Sequence, residues 1–341
     1  MPLLAEVVRG SLVESRHCGD IVLMSADGRM AGVVGDPHRP TYLRSSAKPA
    51  QALALVESGA ADRFGITDEE VAVVCGSHLG SDAHRAAVSS ILAKAGLSEG
   101  DLKCGTHEPG NRAARDALVR RALKPSPLHN NCSGKHAGML ATCVHLQLPI
   151  ESYLERHHPL QKRILNRIAD LAAIAPGDIA LAEDGCGVPT FGMPLSSAAR
   201  LFATLASDDG PGPARIRRAM AAHPEMVRGP RDFNTELLRV LGERIIAKSG
   251  AEALFCCGLP ALRLGVAIRI DDGNGRALPQ VAVSVLQQLG VLSADDESAL
   301  KFAASAPLHN CRGRVVGEVR AADFRLRAPC ADSAARPGTR P

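Results

Sequence analysis

A chain of 341 residues, 45% hydrophobic and 22% charged, has the length and composition of a globular protein built as one large domain or two ordinary ones. The formal net charge of +4 and the aromatic content of 3%, with no tryptophan, argue against a nucleic-acid partner, which requires concentrated basic charge and stacking surfaces. No apolar stretch has the length of a membrane span, and residues 1–15 lack the apolar core of a signal peptide, so we expect a cytoplasmic protein without a membrane partner.

Cysteine and lysine usage restricts the chemistry further. The ten cysteines contain no C-x-x-C pair, which excludes the zinc-ribbon spacing, and most are expected to be reduced, buried side chains. Only eight of the 40 basic residues are lysines. Because arginine does not readily lose a proton, a lysine within a motif indicates acid–base chemistry more strongly than usual in this chain.

The order of elements predicts an α/β (α+β) fold. Short apolar or alternating runs predict strands near both ends of the chain, and longer periodic runs predict helices between them. In chain order we predict strands at 7–13, 21–25 and 30–34, a helix at 45–58, a strand at 71–75, helices at 82–95, 111–123, 137–146 and 160–173, a short strand at 179–182, helices over 195–246 with the longest at 234–248, strands at 253–257 and 266–270, and a helix at 279–289.

These elements predict a single catalytic unit over residues 1–328. A sheet-containing region would combine residues 1–80 with 245–328, and residues 81–244 would form a mainly helical region. Residues 329–341 are rich in proline, alanine and arginine, so we predict a disordered tail there.

The first chemical motif is S-x-x-K, formed by Ser45 and Lys48 at the start of an apolar helix that Ser45 or Ser46 is expected to cap. Positions three apart share one helix face, so the Lys48 amine can reach the Ser45 hydroxyl. Burial lowers the pKa of a lysine, and a neutral amine beside a serine hydroxyl is typical of acyl-transfer nucleophiles. A single copy of the motif is more often a helix cap followed by a solvated lysine.

Two further motifs follow in chain order. Ser77 comes after the predicted strand at 71–75, and the tripeptide Lys248-Ser249-Gly250 precedes another predicted strand. Serine β-lactamases and penicillin-binding proteins contain S-x-x-K, a second serine loop and K-T-G in this order. The ordered set predicts two Ser/Lys pairs, Ser45 with Lys48 and Ser77 with Lys248, although most single K-S-G tripeptides are solvated turns.

Two of the cysteines lie in short polar loops next to glycines. As thiolates, Cys132 and Cys186 could hold a zinc ion, which Lys135 could approach from three residues after Cys132. Asp184 could orient these ligands without itself contacting the zinc ion. The alternative is a pair of free, buried thiols.

Five segments carry a family resemblance: R-S-S-A-K-P at 44–49, C-G-S-H-L-G at 75–80, H-N-N-C-S-G-K-H-A-G-M-L at 129–140, E-D-G-C-G-V-P at 183–189 and K-S-G-A-E at 248–252. Together they resemble the asparaginase II family, the L-asparaginases first recognised in rhizobia. The resemblance covers about residues 5–325. It implies a serine β-lactamase-like fold, with a central antiparallel sheet flanked by helices, in a homodimer that hydrolyses L-asparagine to L-aspartate and ammonia.

The resemblance also implies a catalytic set of Ser45, Lys48, Ser77 and Lys248. It implies a zinc site at Cys132, Lys135 and Cys186, with Asp184 near it. His78 and Glu252 lie within the matched segments, and we expect them to bind substrate. Ser45 would be the nucleophile activated by Lys48, and Ser77 with Lys248 would support proton transfer.

Two alternatives are compatible with these motifs. A glutaminase or a β-lactam hydrolase of the same fold would carry the same residues, because the sequence does not give the size of the pocket. A non-catalytic zinc- or amino-acid-binding protein is the second alternative, although such a protein would not require two serines and two lysines together.

Overall fold

The computed structural model describes residues 1–327, and the tail predicted at 329–341 lies outside the described residues. The strands are β1 (Leu3–Arg9), β2 (Leu12–Ser25), β3 (Met30–Val34), β4 (Pro40–Tyr42), β5 (Ala180–Glu183), β6 (Pro189–Pro194), β7 (Ile246–Gly250), β8 (Leu254–Leu259), β9 (Leu264–Ile270), β10 (Ser305–His309) and β11 (Val315–Ala321). The α-helices are α1 (Lys48–Glu57), α2 (Ala60–Arg63), α3 (Asp68–Val74), α4 (Asp82–Lys94), α5 (Arg112–Arg120), α6 (Ser133–His145), α7 (Pro159–Ala172), α8 (Leu195–Ser207), α9 (Pro211–Ala222), α10 (Pro224–Val227), α11 (Phe233–Leu241), α12 (Leu278–Gln288), α13 (Ala294–Ala299) and α14 (Lys301–Ala304).

The main sheet has eight antiparallel strands from both ends of the chain. Its order is β10-β11-β1-β2-β9-β8-β7, and β3 pairs with β2 beside this path. Strand β2 is long enough to pair with β1 through its first half and with β9 through its second. The register Lys248↔Cys256↔Ala267↔Val22 crosses four strands and places Lys248 on the edge strand β7.

Helices cover this sheet and form a second body beside it. Helix α8 packs against β2, β8 and β9, and α12 packs against β9 and β11. Helix α1 is buried among α3, α6, α7 and α9, as its apolar sequence requires. This arrangement confirms the predicted α/β fold with a central antiparallel sheet flanked by helices. Residues 81–244 hold helices α4 to α11 but also β5 and β6, which form a small sheet with β4.

The strand predicted at 71–75 is wrong, because residues 68–74 form helix α3. Thr67 and Glu70 close a capping box at its start, in which the Thr67 side chain accepts from the Glu70 N–H. The four apolar residues of this helix, at 71–74, are all buried, and periodicity alone does not distinguish a short buried helix from a buried strand.

Two other boundaries differ from the prediction. The strand predicted at 7–13 is divided by a turn, where Gly10 has a φ of 55°. The long helix predicted at 234–248 is wrong beyond Leu241, because Gly242 has a φ of 56° and ends α11. Lys248 therefore lies within strand β7 and not at a helix end. No helix within residues 1–327 is both long and apolar enough to span a membrane.

Candidate active site

A cavity of about 600 Å³ lies beside the edge strand β7. Segments far apart in the sequence line it, namely Ser45, Ser77, Asn131, and residues from 228–234, 248–253 and 273–279. Three of the four predicted catalytic residues, Ser45, Ser77 and Lys248, thus face one space. The fourth, Lys48, is fully buried and contacts Ser77.

An ion pair and a strained backbone hold Ser45 at the cavity. The residue before it, Arg44, has a φ of 48°, a left-handed conformation that costs a non-glycine residue roughly 1–2 kcal/mol. The Arg44 Nε lies 2.7 Å from Oδ1 of Asp184, and the Arg44 backbone N–H donates to Thr190 Oγ1. Asp184, predicted as a neighbour of the zinc ligands, therefore also anchors the turn that carries Ser45.

Ser46, next to Ser45, connects this turn to the sheet. The expected capping of α1 by Ser45 or Ser46 is wrong, because the N-cap of α1 is Ala47, with no side-chain cap. The Ser46 Oγ instead donates to the carbonyl oxygen of Lys248 at 3.0 Å. This bond joins the start of α1 to strand β7 and brings Ser45 and Lys248 to the same cavity.

The contact between the turn and β7 requires a glycine at position 250. A Cβ atom built on Gly250 would lie 2.6 Å from the Leu43 carbonyl oxygen and 2.9 Å from Ser46 Oγ. The backbone oxygen cannot move away without displacing the turn that carries Ser45. The glycine of the K-S-G tripeptide thus has a packing role.

We expect Gly250→Ala to destabilise the protein by about 1–3 kcal/mol, because the added Cβ overlaps backbone. The shifted turn should lower kcat/KM for the expected amide substrate about 10- to 100-fold. Thermal unfolding and steady-state kinetics measure the two effects. Gly177→Ala is the matched control, since a Cβ there meets nothing within 4 Å. Equal behaviour of the two variants would contradict the packing role.

The buried amine of Lys48 is arranged as a base toward Ser77. Its Nζ lies 2.6 Å from the Gly76 carbonyl oxygen, 3.1 Å from the Asn131 carbonyl oxygen and 3.0 Å from Ser77 Oγ. Burial lowers the pKa of Lys48. A neutral amine has two N–H groups and one lone pair, so the two carbonyls can take the N–H groups while the lone pair accepts the Ser77 hydroxyl proton.

These hydrogen bonds pair the predicted residues differently from the sequence-based expectation. Among residues 1–327, Lys48 has no hydrogen bond to Ser45, and Lys248 has none to Ser77. The Lys248 Nζ donates to the Ser249 carbonyl oxygen at 2.8 Å. Burial, with the nearby Lys48 charge as a second cause, lowers the pKa of Lys248 well below its ordinary value. Burial therefore shifts both lysines toward the neutral form relative to a solvated lysine.

The segment 228–232, predicted as part of a continuous helical stretch, is a loop between α10 and α11. The Arg228 Nη1 donates to the Ser77 carbonyl oxygen at 2.9 Å, and its Nε donates to Asp232 Oδ2 at 3.3 Å. Gly229 and Pro230, between charged residues, are the signal that could have identified this loop.

The two predicted substrate-binding residues occupy different places. Glu252 lies at the cavity, is exposed, and has a left-handed φ of 58°. His78 is only 1% exposed, and its ring bonds to Ser133 Oγ through Nε2 and accepts from the Gly80 N–H through Nδ1. Burial lowers the pKa of His78 well below its ordinary value. This neutral ring holds the loop after Ser77 and does not line the cavity described in residues 1–327.

The two predicted thiol ligands lie next to each other under the Lys48 amine. Contact with Cys186 lowers the pKa of Cys132, and the charges of Lys48 and Lys135 lower it further. The Lys135 Nζ donates to Cys186 Sγ at 3.1 Å. Burial disfavours the Lys135 charge, but the two thiols and Asp184 outweigh it and raise the pKa of Lys135 to about 12.

The donors of this thiol cluster, Cys132, Lys135 and Cys186, fit a zinc ion. Two ligands of one tetrahedral zinc, at 2.0–2.3 Å from the metal, lie roughly 3.5 Å apart, close to the observed Lys135–Cys186 separation. Within residues 1–327 no group of three His, Cys, Asp or Glu side chains could hold a metal, so the third donor would be the Lys135 amine after loss of its proton. Bound zinc would act as a Lewis acid toward a ligand in its remaining position.

Comparison with protein families identifies the chain. The family model for L-asparaginase II matches residues 5–321, nearly the whole chain. The chain belongs to the L-asparaginase II family. Membership of the L-asparaginase II family confirms the resemblance of the five segments.

Two solved structures are similar to this L-asparaginase II chain. Mglu in its native form has a TM-score of 0.44 and 14% identity, and the match covers 80% of this chain and 64% of Mglu, slightly less than two thirds. A β-lactamase from Mycobacterium bovis has a TM-score of 0.41 and 12% identity, with coverage of 79% and 94%. Among curated proteins, no sequence matches the chain.

Proposed function

We propose that this protein hydrolyses the side-chain amide of L-asparagine to L-aspartate and ammonia by serine nucleophilic catalysis. The observation that carries the proposal is the contact between the buried Lys48 amine and the Ser77 hydroxyl at the wall of a cavity that also contains Ser45. A buried amine with a lowered pKa that contacts a serine hydroxyl and two carbonyl acceptors is suited to act as a general base.

The two cavity serines have different proposed roles. Ser45 attacks the amide carbon of asparagine, and its proton passes through the Ser77 hydroxyl to Lys48, because a hydroxyl can accept one hydrogen bond while donating another. The N–H of Ser45 lies in the first turn of the 3₁₀ helix Arg44–Ala47 and has no partner within that helix, so it is available to the oxyanion.

Collapse of the tetrahedral intermediate breaks the carbon–nitrogen bond. The amide nitrogen takes up one proton, the one lost by the serine, which the Ser77/Lys248 pair delivers; ammonia then leaves, and a β-aspartyl ester of Ser45 remains. A water molecule then attacks the ester and releases aspartate. At the cavity mouth, the exposed carboxylate of Glu252 is proposed to bind the α-ammonium of the substrate.

The decisive experiment is ammonia release from L-asparagine, L-glutamine and a chromogenic β-lactam, each compared at equal enzyme concentration. We expect the highest kcat/KM with L-asparagine. Faster turnover of glutamine or of the β-lactam would select one of the related hydrolases instead, and stoichiometric asparagine binding without ammonia release would indicate a binding protein.

A diazoketone analogue of asparagine, which labels a nucleophile covalently, tests which of the two serines attacks the substrate. Peptide mass spectrometry of the labelled protein should find the adduct on Ser45, and Ser77→Ala should slow labelling without moving it. An adduct on Ser77 would mean that the serine in contact with Lys48 attacks directly.

We further propose that zinc binds at Cys132, Lys135 and Cys186 and positions the substrate. A chelator should then raise KM more than it lowers kcat, because serine already supplies the nucleophile. Metal content should fall to background in Cys132→Ser and stay unchanged in Cys311→Ser, whose side chain is exposed. Identical KM values with and without chelator would count against the positioning role.

A further inference from the structure

The Arg228 side chain is hydrogen-bonded to Ser77, the serine that contacts Lys48. The Ser77 N–H donates to the Val227 carbonyl oxygen at 2.8 Å, and the Leu79 N–H donates to the Arg228 carbonyl oxygen at 2.9 Å. The Arg228 Nη1 returns a hydrogen bond to the Ser77 carbonyl oxygen at 2.9 Å. The position of this guanidinium is therefore coupled to the position of Ser77 through three hydrogen bonds.

A second set of contacts fixes the orientation of the guanidinium. Its Nε lies 3.3 Å from Asp232 Oδ2, and Asp232 Oδ1 accepts from the backbone and side-chain nitrogens of Asn234, each at 2.8 Å. These contacts use Nε and Nη1, whereas Nη2 has no hydrogen-bond partner within residues 1–327. Since Arg228 lines the cavity and its side chain is 34% exposed, its remaining donors are accessible to a ligand.

Charge in the cavity points to the chemistry of that ligand. Lys248 also lines the cavity, but burial lowers its pKa well below its ordinary value. Among the described lining residues, Arg228 and Arg231 are the side chains that keep a positive charge at any pH near neutrality. Of these two, Arg228 is the one hydrogen-bonded to Ser77, through the Ser77 carbonyl oxygen.

We propose that Arg228 binds the α-carboxylate of the substrate and thereby restricts the enzyme to amides of free amino acids. This inference rests on the proposed asparagine hydrolysis. In asparagine only two carbons separate the amide carbon from the carboxylate carbon, so a carboxylate anchor has to line the cavity that holds Ser45 and Ser77. Arg228 meets this requirement because it lines that cavity and is hydrogen-bonded to Ser77, the proposed proton relay of Ser45, and a guanidinium suits a carboxylate geometrically.

The experiment compares kcat/KM for three amides in the wild type and in Arg228→Met. L-asparagine has both charged groups, succinamate lacks the α-ammonium, and 3-aminopropanamide lacks the α-carboxylate. In Arg228→Met we expect kcat/KM for asparagine divided by kcat/KM for 3-aminopropanamide to fall about 10- to 100-fold, the usual loss for one charge-assisted hydrogen bond. We expect kcat/KM for asparagine divided by kcat/KM for succinamate to stay within about threefold of the wild-type value.

Arg231→Met is the matched control, because it removes the same charge from the same cavity without touching Ser77. We expect its ratio of asparagine to 3-aminopropanamide to remain within about threefold of the wild-type ratio. If this kcat/KM ratio fell equally in both arginine variants, the effect would be due to long-range charge and not to contact with Arg228, and the proposal would be overturned.

Two further outcomes would also overturn it, and a third concerns the proposed function. Equal losses with all three amides in Arg228→Met would mean that Arg228 only positions Ser77. Equal wild-type turnover of asparagine and 3-aminopropanamide would mean that no carboxylate is recognised. If the wild type released no ammonia from any of the three amides, the proposed asparagine hydrolysis would be wrong, and the role of Arg228 that rests on it would fall as well.

Discussion

Replacing Lys48 by methionine is expected to lower kcat about 10²- to 10⁴-fold, the range that a single general base contributes. Methionine keeps the length and apolar character of the side chain but cannot accept the serine proton. The Gly76 and Asn131 carbonyls would lose their donors, so the variant should be checked by thermal unfolding before its kinetics are interpreted.

Lys48→Arg separates base catalysis from simple positive charge. Arginine keeps the charge and the hydrogen-bond donors but stays protonated, so a base at position 48 predicts an inactive enzyme. Substantial turnover in Lys48→Arg would mean that the cation, and not the lone pair, supports catalysis.

The pH profile gives an independent test of the same base. Burial lowers the pKa of Lys48 from its ordinary value of 10.5, and only the neutral amine accepts a proton. Activity should therefore rise with pH through the lowered pKa and level off at a pH below 10.5. An activity that falls as pH rises through this window would contradict the assignment.

Replacing Lys248 by methionine is expected to reduce activity and to raise stability at the same time. The loss of the proton relay to departing ammonia should lower kcat by about 10²-fold or more. Removal of a buried ionisable group should stabilise the fold by about 1–3 kcal/mol, because Lys248 is 1% exposed and its described hydrogen bond is to a single carbonyl.

The stability gain should depend on pH in a defined direction. The pKa of Lys248 is lower in the folded than in the unfolded chain, so between these two values the unfolded state binds more protons and stability rises with pH. The cost of the buried lysine is greatest below the folded pKa and vanishes above the unfolded one. The Tm difference between Lys248→Met and the wild type should therefore shrink as pH increases.

Lys162→Met provides the control for these measurements. Lys162 lies exposed on α7, so its replacement should leave both Tm and kcat within experimental error of the wild type. Lys248 would have a purely structural role if Lys248→Met unfolded at lower temperature and kept full activity.

Local chemistry explains the elements that were predicted well. Ser81 caps α4 through its side chain, and the apolar run that follows needs only a buried face to continue as a helix. Gly59, with a φ of 84°, lies just beyond the end of α1, as expected for a helix stop. The strand predicted at 71–75 was wrong because an unbroken run of apolar residues fits a buried helix as well as a buried strand.

The sequence likewise indicated some residues of the candidate site and gave no sign of others. The residue types and their order indicated Ser45, Lys48, Ser77 and Lys248 because acyl transfer needs hydroxyls beside ionisable amines. The loop that carries Arg228 and Asp232 has no such spacing and was hidden within a stretch of helices. Its relation to Ser77 consists of backbone and side-chain contacts across about 150 residues, which no local pattern records.

By itself, the sequence determined the chemical inventory of this protein: two serines, two scarce lysines and two loop cysteines in an order typical of one amidohydrolase family. Only the tertiary structure decided which amine contacts which hydroxyl. The carbonyl groups of Gly76 and Asn131 accept hydrogen bonds from Lys48, and its amine is thereby held against Ser77, whereas it has no hydrogen bond to Ser45 within residues 1–327.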